Sequence, residues 1–187
     1  MSIYLKICTG LIVSLLSLGA QADDNNLQTR DQPPATESLD VKNTTEVIQA
    51  LYVSSLTQMK VADLVREKSP DESLRDYADK LTRDHRWINR SLDWLANIKS
   101  VSLEPEDLGE SAQLVNTQTN SELQTLAQTS PDEFRSAFIT ASIRSHQETL
   151  QFYNRIDQNN TDDALKVLIR VFRQVEEMHL VNAQKLQ

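Results

Sequence analysis

Apolar residues recur every three to four positions along four long stretches of this chain. That spacing places them on one face of an α-helix, and it predicts four amphipathic helices over residues 44–68, 70–98, 131–157 and 162–186. Each helix would be about 37–43 Å long at 1.5 Å per residue. Matched lengths and matched apolar faces are typical of a four-helix bundle.

Three of the four predicted helices begin with recognisable N-terminal signals. Asn43 stands three residues before Glu46, a spacing typical of an N-cap with a reciprocal glutamate. Ser69 and Ser130 each begin a Ser-Pro-Asp-Glu sequence, which predicts serine as the N-cap and proline at the first helical position. The fourth helix is predicted to start near Asp162.

The connections between the predicted helices determine their directions. About one residue joins the first helix to the second, and about four join the third to the fourth, so each pair must form an antiparallel hairpin. Residues 99–130 separate the second helix from the third, and 110–128 have a helical pattern of their own. The sequence therefore predicts an all-α, ferritin-like four-helix bundle, with a long crossover that contains a short extra helix between helices 2 and 3.

The first 43 residues are predicted to lie outside this bundle domain, which spans residues 44–187. Residues 1–22 combine a short basic start, an apolar segment and the sequence Ala-Gln-Ala, which predicts a cleaved signal peptide. The alternative is an uncleaved N-terminal anchor. Residues 23–43 are polar and contain a Pro-Pro pair, which is typical of a disordered leader. We therefore expect a periplasmic or secreted protein of a Gram-negative bacterium, with no transmembrane segment after signal cleavage.

Charge and cysteine content restrict the possible functions. The formal net charge is -8, which argues against a nucleic-acid partner because nothing offsets phosphate repulsion. The single cysteine, Cys8, lies in the predicted signal peptide, so the mature chain would have no disulfide and no thiolate ligand. The sequence contains no G-x-S-x-G, no glycine-rich phosphate loop and no H-E-x-x-H. It identifies no enzymatic activity and favours a non-catalytic protein.

Three histidines lie on three different predicted helices. His85 and His179 fall on the apolar faces of their helices, whereas His146 falls at the edge of its face. Glu176 stands one turn before His179, and this Glu-x-x-His pair is half of the motif set found in di-iron bundles. A mononuclear Zn or Cu site built from two histidines with Glu176 or Asp84 is an alternative, since imidazole suits both metals. The candidate metal ligands are thus His85, His146, His179 and Glu176, with Zn, Cu or Fe as the candidate metal.

Two observations argue against a complete metal centre. Thr82 and Ile143 stand where the second Glu-x-x-His pair would need its glutamate, and the first helix presents Gln58. The positions along the helices also predict an offset of roughly 6–9 Å between His179 and the other two histidines. The competing interpretation is that the histidines are core residues with buried hydrogen-bond partners. For His179, Glu176 or a serine or threonine across the bundle would be that partner.

Several segments together resemble the exported bacterial family called Domain of Unknown Function 4142. They are DYADKLTRDHRWIN (76–89), SPDEF (130–134), FITASIRSHQETLQFY (138–153) and EEMHLVNAQKL (176–186). The resemblance covers about residues 45–187. It implies a ferritin-like fold and an exported protein, and it implies no reaction.

The sequence leaves three functions open. The favoured one is a non-catalytic interaction or envelope-stress protein, whose acidic surface would pair with another envelope protein. The alternative is a transition-metal-binding protein that uses the histidines of helices 2–4. The third is a di-metal oxidase.

Overall fold

The computed structural model describes residues 39–187, and within that range about 85% of the residues are helical and none is in a strand. The all-α prediction is therefore confirmed for the described residues. The predicted signal peptide (1–22) and residues 23–38 of the predicted leader lie outside them. The α-helices are α1 (Thr44–Lys68), α2 (Glu72–Lys99), α3 (Glu110–Gln128), α4 (Pro131–Asn159) and α5 (Asp163–Lys185), and a short 3-10 helix (Pro105–Asp107) lies between α2 and α3.

Two hairpins of long helices form most of the fold. In each hairpin, residue numbers rise along one helix as they fall along its neighbour, so the two helices are antiparallel. The connecting residues are too few to allow any other arrangement, as the sequence predicted. The pairs that fix these directions are Arg66–Asp79 and Met59–Asn89 between α1 and α2, and Arg170–Asp157 and Arg135–Leu186 between α4 and α5.

The helix α3 connects the two hairpins by running alongside α1 in the same direction. At its start, the Gly109 N–H donates to the Gln49 side chain, and at its end Lys68 donates to the Thr129 carbonyl. The chain is thus returned to the end of the fold where α2 begins, and α4 runs parallel to α2. No helix of the described residues is long and apolar enough to cross a membrane.

The N-terminus of α2 differs from the prediction. The predicted cap was Ser69, but the cap is Asp71, whose carboxylate accepts hydrogen bonds from the N–H groups of Ser73 and Leu74. Ser69 instead ends α1 as its C-cap, and its hydroxyl accepts from the Asp71 N–H. A charged acceptor next to the positive end of the helix dipole is favoured there, so the helix starts at Glu72 rather than at residue 70.

The other predicted N-termini agree with the structure. The Asn43 side chain accepts from the Glu46 N–H, which confirms Asn43 as the N-cap. Glu46 in turn accepts from the Asn43 side-chain amide, whereas the Asn43 backbone N–H donates to the Asp40 carbonyl. Ser130 is the N-cap of α4, although its hydroxyl donates to the Glu133 carboxylate at 2.6 Å and makes no bond to the helix backbone. Asp162 caps α5 by accepting from the Leu165 N–H.

The buried apolar side chains form two separate clusters along the length of the fold. The first includes Ile48, Leu92 and Phe172, and the second includes Leu81 and Phe138. Each of the four long helices contributes to both clusters, and each carries buried polar residues at the level between them. This polar layer consists of Ser55, His85, Ser142, His146, Glu176 and His179, all at most 5% exposed.

The segment just before α1 is packed against the rest of the fold. Leu39 and Val41 are both buried in the first apolar cluster, although the sequence analysis placed them in the leader. The Leu39 carbonyl accepts from Arg155 and the Val41 carbonyl accepts from Asn160. These two residues alternate with polar neighbours in a short segment that contains a turn, a pattern too short to stand out from a polar leader.

Candidate metal-binding site

The three histidine side chains converge in the polar layer. The ring centroid of His179 lies 5.4 Å from that of His85 and 5.3 Å from that of His146. The predicted offset of His179 from the other two is therefore wrong. The prediction used backbone heights alone, but each helical side chain leans towards the N-terminus of its own helix. Because α5 runs opposite to α2 and α4, His179 leans towards the other two rings and they lean towards it.

His146 lies deeper than the sequence indicated. The prediction placed it at the edge of the buried face of its helix, but it is 1% exposed. The buried face of α4 passes through Ser142 and His146, while Ala141 and Ser145 are half-buried. In a helix of 29 residues the line of buried positions rotates gradually around the helix axis. A buried face inferred from the apolar residues at the two ends is therefore out of register with the buried positions in the middle of the helix.

His179 is fully buried and is held by a neighbouring helix. Its Nε2 lies 3.0 Å from the Oδ2 of Asp84 on α2. Burial and a cross-helix hydrogen bond were predicted, but both predicted partners, Glu176 and a serine or threonine across the bundle, are wrong. Burial raises the pKa of Asp84, but hydrogen bonds from Arg83 and His179 outweigh it and hold that pKa below its usual value. An ionised carboxylate only accepts, so the proton of His179 is on Nε2 and Nδ1 carries a lone pair.

His85 is oriented by α1. Its Nδ1 lies 3.0 Å from the hydroxyl oxygen of Ser55, and that hydroxyl also donates to the His85 carbonyl at 3.3 Å. A hydroxyl has one hydrogen, so both contacts are satisfied when His85 Nδ1–H donates to Ser55. The lone pair of His85 is then on Nε2.

His146 is bonded at both ring nitrogens. Its Nδ1 lies 2.6 Å from the Glu176 carboxylate, and its Nε2 lies 2.9 Å from the Tyr77 hydroxyl. Burial alone would raise the pKa of Glu176, but the hydrogen bond and charge of His146, with the charges of His85 and His179, lower it to about 2. Glu176 is therefore a buried, ionised carboxylate, and His146 fixes its position.

Three of the four predicted ligands offer atoms that face one another. His85, Glu176 and His179 each present one ligand atom, and these atoms lie within 4.8 Å of one another. Within residues 39–187, His85 Nε2 and His179 Nδ1 are buried atoms with no hydrogen-bond partner. The fourth predicted ligand, His146, bonds to the Glu176 carboxylate through Nδ1 and to the Tyr77 hydroxyl through Nε2. Neither of its ring nitrogens is therefore unpartnered.

The distances and protonation states suit a metal ion. Ligand atoms about 2.1 Å from a tetrahedral Zn²⁺ are about 3.4 Å apart, so closure needs side-chain movements of roughly an ångström. Burial lowers the pKa of His85 to about 4, and burial also lowers the pKa of His179. Both imidazoles are thus neutral near pH 7, which is the form that binds metals. Two imidazoles and one carboxylate can ligate Zn²⁺ or Fe²⁺.

A small cavity adjoins the cluster on the side of α1 and α4. Its lining consists of Leu51, Ser54, Ser55, Gln58, His85, Thr149, Tyr153 and Glu176. Gln58, which the sequence analysis judged a poor iron ligand, donates from its amide to the Ser145 hydroxyl at 2.7 Å.

Sequence reasoning did not assign roles to Ser55, Tyr77 or Asp84 as supports of the histidines. The sequence analysis considered Asp84 only as a ligand and did not single out Ser55 or Tyr77. Their signal is a polar side chain on or beside an otherwise apolar helix face. That signal shows that such a residue needs a partner, but it does not say which helix supplies one.

Comparisons with known proteins give one match. The family model described as "Domain of unknown function (DUF4142)" matches residues 28–186. The comparisons with curated proteins and with solved structures found no match.

Proposed function

This chain belongs to the family described as Domain of unknown function (DUF4142), and we propose that it is a helical protein that binds one transition-metal ion through His85, Glu176 and His179. One observation carries the proposal. Two buried imidazole lone pairs, on His85 Nε2 and His179 Nδ1, lie beside a buried carboxylate, with no hydrogen-bond donor of residues 39–187 on either nitrogen.

The energetics of buried polar groups favour this function over a purely structural role for the histidines. A buried acceptor without a partner costs about 1–3 kcal/mol, and here two such acceptors lie together. Histidines that only stabilise a core would have a hydrogen-bond partner at each ring nitrogen, as His146 has in Glu176 and the Tyr77 hydroxyl. A cation accepts the lone pairs of His85 and His179 at once and also compensates the charge of Glu176.

The surrounding hydrogen bonds support the same assignment. Ligand histidines usually donate their other ring nitrogen to a carboxylate or another oxygen, which fixes the tautomer and aims the lone pair. Asp84 does this for His179, and Ser55 does it for His85. His146 holds Glu176 in the same way.

The proposed site is mononuclear. Only one half of the dinuclear motif set, Glu176 and His179, is present in the sequence, and Thr82 and Ile143 replace the glutamate of the other half. The first helix offers Gln58, whose amide is bonded to Ser145. Zn²⁺ and Fe²⁺ suit the donor set best, and Cu²⁺ remains a candidate because imidazole also binds it.

The test is metal binding by protein purified without a histidine tag and stripped with a chelator. Calorimetric titration with Zn²⁺ should give one site, which His85→Ala and His179→Ala abolish. Asp84→Asn should weaken binding about 10- to 100-fold, because the supporting carboxylate orients a ligand without touching the metal. The matched control is Asp79→Asn on the same helix, where the carboxylate is exposed and bonded to Arg66. This variant should bind as the wild type does.

Stability gives an independent readout. Metal at about 100 times its dissociation constant should raise the free energy of unfolding by about 2.7 kcal/mol. The proposal is wrong if the wild-type protein gains nothing from Zn²⁺, Fe²⁺ or Cu²⁺. It is also wrong if the His85→Ala and His179→Ala variants keep the gain, since the metal would then bind at exposed carboxylates.

A ferritin-like four-helix bundle is the architecture that we propose for the domain. The directions of the helices support it, because α1 and α2 form one hairpin, α4 and α5 form the other, and α3 returns the chain between them. An experimental structure in which α2 and α4 run antiparallel would contradict it.

The remaining functional expectations stay predictions. Contact with another envelope protein is compatible with the exposed side chains of Trp94 and Ile98, which are 58% and 60% exposed. Export to the periplasm or the medium depends on residues 1–22, which lie outside the described part of the chain.

A further inference from the structure

The cavity beside the proposed metal site has a definite position relative to the ligands. It lies between α1 and α4, and both His85 and Glu176 line it. His179 does not line it, and that ring is held on the opposite side by Asp84 of α2. A metal ion bound by the three side chains would therefore have the cavity on its α1–α4 side and His179 on its other side.

The cavity is small and close to the surface, and polar side chains form part of its lining. Its volume of about 10 Å³ is close to the minimum that holds one water molecule. Its lining residues include Gln58 and three residues that carry hydroxyl groups, Ser54, Thr149 and Tyr153. Ser54, Gln58 and Thr149 are half-buried, so the cavity lies just beneath the seam between α1 and α4.

Three protein ligands leave at least one position free on a tetrahedral ion, and sites of this type carry an exchangeable water there. We propose that the metal ion of this protein keeps one coordination position open towards the α1–α4 cavity, and that a water molecule there exchanges for a small anion. This inference rests on the proposed metal site and adds the class of ligand that the site accepts.

Tyr153 is the residue that selects for an anion. Its side chain is buried and lines the cavity together with Glu176 and His85. A phenol has an ordinary pKa of about 10, so it supplies an O–H donor near pH 7. A donor beside the open position stabilises an anionic ligand more than neutral water, because hydrogen bonds to charged acceptors are the stronger ones.

The experiment uses the protein loaded with Co²⁺, whose visible absorption reports on its ligands, and azide as the probe anion. Azide should change the spectrum of the wild-type protein with a saturable, single-site dependence. Tyr153→Phe should weaken azide binding about tenfold and leave Co²⁺ affinity unchanged. The matched control is Tyr52→Phe on α1, a half-buried tyrosine that packs against the first apolar cluster and does not line the cavity. It should bind azide as the wild type does.

A second variant tests the location of the open position independently of Tyr153. Ser54→Leu places a larger side chain at the half-buried rim of the cavity, so it should retain Co²⁺ and lose the azide response. The inference is overturned if Co²⁺ binds but azide leaves its spectrum unchanged, or if azide binds equally well to the wild type, Tyr153→Phe and Ser54→Leu. Failure of Co²⁺ to bind at all would instead overturn the proposed function on which the inference rests.

Discussion

The three histidines of the polar layer differ in how many of their ring nitrogens are bonded. His146 has a partner at each nitrogen and therefore acts as a structural group that holds Glu176. Within residues 39–187, His85 and His179 each have one bonded and one unpartnered nitrogen. Since burial is nearly complete for all three, the number of hydrogen-bond partners, rather than exposure, distinguishes a candidate ligand from a core histidine.

The buried His85 makes stability depend on pH in a predictable direction. Burial lowers its pKa to about 4 from an ordinary value of 6.5, so between these values the unfolded chain binds a proton that the folded chain does not. Stability then rises with pH across this window. In metal-free protein, the free energy of unfolding should fall by up to about 3 kcal/mol between pH 6.5 and pH 4. Urea unfolding with a chelator present, at several pH values, measures this.

The control for this prediction is His85→Gln, which removes the titrating group and keeps a polar side chain. Its stability should depend less steeply on pH in the same window. The lowered pKa of His179 acts in the same direction, so some slope remains in the variant. Equal slopes in wild type and variant would show that His85 is not the group responsible.

At the scale of single residues, the sequence predicted part of the candidate site. It nominated His85, His146, His179 and Glu176 as candidate ligands, and three of them, His85, Glu176 and His179, present ligand atoms to one another. The partner of His179 was not predictable in the same way, because Asp84 comes from another helix. Which carboxylate reaches an imidazole depends on the relative rotation and height of two helices, and the pattern within one helix does not contain that information.

Helices were predicted within a few residues because their signals are local. Apolar periodicity and N-cap residues depend on neighbours three or four positions away, which the sequence shows directly. The Ser69–Asp71 stretch is the exception, because two good cap residues compete within three positions. Asp71, the cap residue nearer to α2, carries a charged carboxylate, which also forms an ion pair with Arg135 of α4.

Asp71 should therefore contribute more to stability than the predicted cap. Asp71→Ala removes the acceptor of the Ser73 and Leu74 N–H groups and should lower the free energy of unfolding by about 1 kcal/mol, within a range of about 0.5–2. Asp76→Ala is the matched control, since Asp76 is exposed in the interior of the same helix. Chemical denaturation of both variants provides the comparison. A larger loss from Ser69→Ala than from Asp71→Ala would contradict this assignment of the cap.

Across the whole molecule, the polar layer divides the apolar core into two clusters. Connection lengths predicted that the hairpins are antiparallel, because a turn of a few residues allows no other geometry. The convergence of the histidines was not predicted, since it depends on opposite leaning of side chains from antiparallel helices. A layer of buried polar groups weakens a core unless every group is satisfied. Binding of a metal ion would satisfy the two histidine nitrogens that have no partner in the described part of the chain.

The packed part of the chain also extends beyond the predicted bundle, and this has a measurable consequence. Leu39 is 1% exposed and lies in the first apolar cluster, and its own carbonyl accepts a hydrogen bond from Arg155. Leu39→Ala should lower the free energy of unfolding by about 2 kcal/mol or more, since buried Leu→Ala substitutions cost about 2–5 kcal/mol.

The matched control is Leu114→Ala on α3, where the leucine is 49% exposed and the same substitution should change stability by less than about 0.5 kcal/mol. Urea denaturation of the full chain measures both variants. If residues 39–43 belonged to a leader that does not pack, Leu39→Ala would be as neutral as Leu114→Ala. A clear difference between the two would instead mean that the segment before α1 helps to hold the ends of α1 and α4 together, through the contacts of Leu39 and Val41 with Arg155 and Asn160.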